Sequence, residues 1–92
     1  MNAVEQKMAE LSERFAARAS GERAAIERAL KKEDREQLRD LAHKLAGSAA
    51  MFGHPAIGEA ALSLEVAAEE GAPVAQTAHK LCEMLARIEP GA

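Results

Sequence analysis

Trp and Tyr are absent from this chain of 92 residues, and Phe15 and Phe52 are its only phenyl rings. The aromatic platforms that stack single-stranded nucleic acid are therefore missing. Apolar content comes chiefly from Ala, Leu, Ile, Val and Met, which favours closely approaching helices over sheets. There is no basic block either. The 12 basic and 15 acidic residues are mixed along the chain and leave a formal charge of −3, so nothing tracks a phosphate backbone and nucleic acid is not an expected partner. The single cysteine, Cys82, cannot form an internal disulfide. No N-terminal apolar run resembles a signal peptide or a membrane span, so the expected location is the cytoplasm, without membrane contact. P-loops, glycine-rich nucleotide signatures and carboxylate clusters are lacking too. The length suits one domain over residues 1–92, with a core that buries roughly 60–65% of the unfolded surface and little room for a deep cleft.

What is present is helical periodicity. Val4, Met8, Leu11 and Phe15 recur on one helix face. Ser20-Gly21 is a break signal, and Ile26, Ala29 and Leu30 resume the stripe after it, so two helices are expected in this region. Asp34 with Gln37 three residues later reads as an N-cap and capping-box partner, followed by Leu38, Leu41, Leu45, Ala49 and Phe52. Gly53 stops that helix and Pro55 starts the next, which turns Ile57, Ala60, Ala61, Leu64, Ala67 and Ala68 inward. Gly71 and Pro73 repeat the signal before a last helix with Val74, Ala78, Leu81, Leu85 and Ile88 on one side, ending before Pro90-Gly91. Short connections imply antiparallel neighbours. The expected fold is all-α, an antiparallel up-and-down four-helix bundle with an additional N-terminal helix or helical extension.

His43 falls opposite the apolar stripe of its helix and should face water. The residues sharing its face one and two turns later are Ala46, Gly47 and Ala50, where an exposed helix usually carries long charged side chains. Gly47 in a helix interior costs about 1 kcal/mol relative to Ala, so a reason other than helix stability is expected for it, such as close approach by another protein. Imidazole is substantially neutral at physiological pH and is a competent nucleophile when one nitrogen presents its lone pair outward. A carboxylate accepting a hydrogen bond from the other nitrogen would fix that tautomer. An ordinary surface histidine on a tightly packed helix is the plain alternative.

The run Leu41-Ala42-His43-Lys44-Leu45-Ala46-Gly47-Ser48-Ala49-Ala50-Met51-Phe52-Gly53, followed by Ala60-Ala61 and Leu64-Glu65, closely resembles the signature of histidine phosphotransfer (HPt) domains. The resemblance covers the central third of the chain, and length and helix order agree with it. It implies that His43 is the phosphoacceptor, whose Nε2 takes a phosphoryl group from an aspartyl phosphate on a receiver domain. It implies that Gly47 leaves room for the receiver and that Glu65 hydrogen-bonds the imidazole. Many members carry a Lys three residues after the histidine, where this chain has Ala46. Lys44, or Arg39 one turn before His43, would then be the basic residue left to offset phosphoryl charge.

The expected function is that of a phosphorelay carrier, with no kinase or nucleotide site of its own. It would accept the phosphoryl group on His43 from one receiver and pass it to another. The chain itself would hold no cofactor, Mg²⁺ belonging to the receiver. Response-regulator receiver domains are the expected partners, with a hybrid sensor histidine kinase as a further candidate. Arg39, Ala46, Gly47 and Ala50 would form the docking surface of a monomer. The competing readings are a non-phosphorylated helical adaptor and a metal site at His79 and Cys82 with His54 or His43. Two ligands on one helix face are too few for a metal, and Ser48 has no oxyanion site beside it.

Overall fold

Asn2 opens the first helix by accepting a hydrogen bond from the Glu5 backbone N–H at 2.8 Å, satisfying one of the orphan donors of the first turn. In the computed structural model, which describes residues 2–90, four helices follow: α1 (Ala3–Lys31), α2 (Arg35–Met51), α3 (Pro55–Glu69) and α4 (Ala75–Ile88). Gly91 of the expected Pro90-Gly91 stop lies outside the described residues, as do Met1 and Ala92. No strand occurs among the described residues. Each helix packs on the helices before and after it, and α4 closes the ring against α1, which is the up-and-down bundle expected from the short turns.

The turns are built as the sequence signals. Asp34 accepts from the Gln37 N–H at 3.0 Å. Gly53 and Gly71 take positive φ of 88° and 73° and let His54 N–H and Ala72 N–H reach back to Ala49 and Ala67, the closing bond of a left-handed helix stop. The α1–α2 turn uses a non-glycine residue for the same purpose, Glu33 at φ 55°. Arg35 crosses to the far end of α3, where its guanidinium donates to the carbonyls of Ala67 and Ala72 at 3.0 and 2.6 Å.

Two expectations for the N-terminal third are corrected. Ser20-Gly21 does not divide the helix, and α1 runs unbroken for 29 residues as a long N-terminal extension of the bundle's first helix. The cost of an interior glycine is about 1 kcal/mol, and the stripe that spans it, Phe15, Ala19, Ile26 and Ala29, is fully buried. Burial of these side chains outweighs that cost. Val4 and Met8, expected in the core, are 72% and 42% exposed. The α2–α3 turn reaches α1 at Ser12, whose Oγ lies 2.9 Å from His54 Nε2, so the turns before Ser12 project past the helices that cover the rest of the stripe.

The remaining core follows the periodicity: Leu38, Leu45, Ala49, Ile57, Ala61, Leu64, Ala78, Leu81 and Leu85 are buried, with Leu41, Phe52 and Ile88 packed at its edge. Ala42 and Gly58 join them. At Gly58 α3 lies directly against the backbone of α2: a Cβ there would stand 3.2 Å from the Ala46 carbonyl oxygen and 3.4 Å from the Ala50 nitrogen. These are backbone atoms and cannot swing aside. Gly58→Val should therefore destabilise the fold by about 1–3 kcal/mol in urea titrations, whereas Gly21→Ala, with nothing within 4 Å, should raise stability by up to about 1 kcal/mol. A neutral Gly58→Val would show that α2 and α3 are free to separate.

Candidate functional site

α2 sets His43 half a turn away from the buried row Leu38, Leu45 and Ala49, and its side chain is 74% exposed. α3, drawn in at Gly58, carries Glu65 to the same edge two turns later. His43 Nδ1 and Glu65 Oε2 are 2.8 Å apart, and the Glu65 side chain is only 14% exposed. A carboxylate accepts only, so Nδ1 carries the proton and donates, and Nε2 is left with its lone pair. A half-buried carboxylate thus orients an exposed ring, with its available nitrogen on the side away from α3. The arrangement pairs an exposed imidazole with a carboxylate placed to fix its tautomer, a combination chemically able to serve a nucleophile.

The floor around the ring is small, as the sequence suggests, but its members differ. Gly47 is exposed, and a Cβ built on it meets nothing within 4 Å, so no internal packing demands glycine there. Ala50 is exposed on the same face. Ala46, expected on the docking surface, is half-buried against α3, with its carbonyl facing Gly58. The small residue at this position belongs to the helix–helix approach as much as to any partner.

The basic residues are less convergent. Arg39 donates to Asp40 Oδ1 at 2.9 Å, and that hydrogen bond holds its guanidinium pKa above the ordinary value. Its charge is partly offset before any phosphoryl group arrives. Lys44 is exposed and takes part in none of the ion pairs among the described residues, but it projects about 100° round the helix from His43.

Three exposed apolar side chains on α2 and α3 were not singled out from the sequence: Met51, Leu62 and Val66, at 68%, 52% and 40% exposure. Met51 stands one turn beyond Gly47. Leu62 lies between Gly58 and Glu65 on the edge of α3 that meets α2, and Val66 follows one turn later. Leu62 and Val66 fall outside the inward set of α3, and that off-pattern placement is the sequence signal that marks them.

His54 and the His79 and Cys82 pair lie elsewhere. His54 caps α3 with its backbone, stacks on Phe15 at 5.0 Å and faces Ser12, so it ties the turn to α1 as well as preceding Pro55. His79 is exposed and Cys82 buried, and among the described residues no group of three or more His, Cys, Asp or Glu side chains is placed to hold a metal. Nor is any helix among them long and apolar enough to cross a membrane.

An all-helical bundle presenting one carboxylate-oriented imidazole to solvent is the class of protein that fold and site define. The Hpt domain family model matches residues 10–91, and the chain belongs to that family. Its members are phosphocarriers, not kinases, and act in histidine phosphotransfer with receiver domains of phosphorelays. No curated protein and no solved structure matches the chain.

Two measurements follow from this geometry. Long-range ¹H–¹⁵N spectra of neutral His43 should show the Nδ1–H tautomer, and Glu65→Ala should return the ring to a population dominated by Nε2–H; an unchanged spectrum would remove Glu65 from the site. Burial pushes the Cys82 thiol from 9.0 up to about 11, so between these values the unfolded chain has lost a proton that the folded chain keeps. Stability should therefore fall as pH rises through this window, and the slope should flatten in Cys82→Ala. An equal slope in both proteins would assign the loss to other groups.

Proposed function

We propose that His43 is the phosphorylated residue and that the chain relays a phosphoryl group from the aspartyl phosphate of one receiver domain to the aspartate of another. The observation that carries this reading is the 2.8 Å contact of Nδ1 with Glu65 beneath a ring that is 74% exposed. In the forward step, the Nε2 lone pair attacks phosphorus, the N–P bond forms, and the P–O bond to the receiver's aspartate breaks with its electron pair leaving on the carboxylate. Nδ1 keeps its proton throughout. The imidazolium character that develops on the ring is stabilised by the negative Glu65, and the reverse step returns the ring to neutrality.

Positioning and charge dominate such a transfer. On this reading the receiver supplies Mg²⁺ and its own basic groups, and Lys44 adds at most a screened, flexible charge. Arg39, committed to Asp40, serves orientation at the rim of the interface more than catalysis. Gly47 and Ala50 admit the partner's loops close to the ring, and the apolar side chains of Met51, Leu62 and Val66 surround them. A small apolar centre with a charged rim suits a complex that forms and separates quickly.

Incubation with a phosphorylated receiver and Mg²⁺ tests the assignment. Wild type should acquire acid-labile, base-stable label and His43→Gln none; label that survives the substitution would overturn it, and absence of transfer with any of several receivers would favour a helical adaptor. Gly47→Gln should leave helicity intact but weaken receiver binding at least tenfold by titration. Retained affinity would show that the partner does not approach over Gly47.

A further inference from the structure

We propose that the groove between α1 and the end of α2 docks an acidic amphipathic helix of a partner protein, at a surface separate from His43. Phe52 follows His43 by nine residues, about 13 Å along α2 and half a turn round it, so the groove and the histidine lie on opposite edges of that helix. The groove is a recess of about 470 Å³ floored by Leu11, Phe15 and Phe52, with Arg14 and Arg18 at its rim.

Three observations define its occupant. The apolar stripe of α1 does not end where the bundle ends: Val4 and Met8, on the line of buried Phe15 and Ala19, stay exposed beyond it and extend the apolar floor by two turns. Lys7, Leu11, Arg14 and Arg18 share one flank of that stripe at spacings of four, three and four residues, which puts three cations in a row. The ion pairs among the described residues, Arg23 with Glu27 and Glu89, Arg39 with Asp40 and His43 with Glu65, engage none of the three. On a chain of net charge −3, a cationic row that takes part in none of these ion pairs, beside an apolar groove, calls for an apolar ridge with an acidic flank, the form of a helix laid into a groove.

Charge argues against other occupants. Antiparallel pairing of two copies through this face would set the cationic row against its own counterpart. Shape argues against a flat bilayer, because the aromatic floor is recessed between helices instead of standing proud of them.

The test uses the ¹⁵N-labelled full chain and a synthetic fifteen-residue helical peptide, with leucines at three- and four-residue spacing and glutamates on both flanks. A lysine-for-glutamate peptide and vesicles of phosphatidylcholine and phosphatidylglycerol are the comparison arms. Saturable amide shifts should centre on Leu11, Phe15, Arg18 and Phe52. Affinity should fall at least tenfold in the exposed double variant Arg14→Glu/Arg18→Glu, with its circular dichroism unchanged. His43→Gln should bind the peptide as wild type does, so the failure of phosphotransfer and the failure of docking are separate results. Absence of saturable shifts, shifts centred on His43, equal binding of the lysine peptide, full affinity in the double variant, or sedimentation with the vesicles would each overturn the proposal.

Discussion

The hydrogen bond from His43 to Glu65 joins two helices, and it depends on how near those helices lie. A carboxylate on one helix reaches an imidazole on another at 2.8 Å only when the axes are close, and here the approach is set at Gly58, over the backbone of Ala46 and Ala50. Any side chain larger than hydrogen at that point would press on atoms that cannot move without the helix. The small residues of α2 therefore do two things at once. On the side turned to α3 they allow the approach that orients the ring, and on the side turned to solvent they leave the ring uncrowded.

Exposure and orientation usually oppose each other, because an exposed side chain loses entropy when it is held in one rotamer. The bundle separates the two demands between partners. Glu65 is the less exposed member and rides on the packed helix α3, while His43 is the exposed member and is held by Glu65. The ring thereby presents one nitrogen to a visiting protein without being enclosed in a cleft. This suits the phosphotransfer with receiver domains in which the Hpt family acts.

Much of this was legible in the chain itself, where the rules are local. Asp34, Gly53, Pro55 and Gly71 mark helix ends because caps and left-handed stops are decided by a few neighbouring residues. The alternation of Leu38, Leu45 and Ala49 against His43 placed the histidine in solvent. Ser20-Gly21 misled because a local break signal of about 1 kcal/mol competes with burial along the whole of α1, which no short window contains. Val4 and Met8 misled for the converse reason: their periodicity is that of a core, but whether another helix covers them depends on where the α2–α3 turn lands. Ala46 was read as open floor because the nearness of Gly58, twelve residues later, is a tertiary fact. Leu62 and Val66 were visible as apolar residues outside the inward pattern, and the pairing of α3 with α2 sets their helix beside that of the histidine.

On the proposed reading, Glu65 holds the Nδ1 proton of His43 so that chemistry occurs at Nε2. The most direct test is the position of the phosphoryl group, read by ¹H–¹⁵N and ³¹P NMR on the chain phosphorylated by a receiver and labelled in its imidazole nitrogens. A single phosphoramidate is expected, with phosphorus coupled to Nε2 of His43 and the proton retained on Nδ1. Phosphorus on Nδ1, or on His54 or His79, would contradict it.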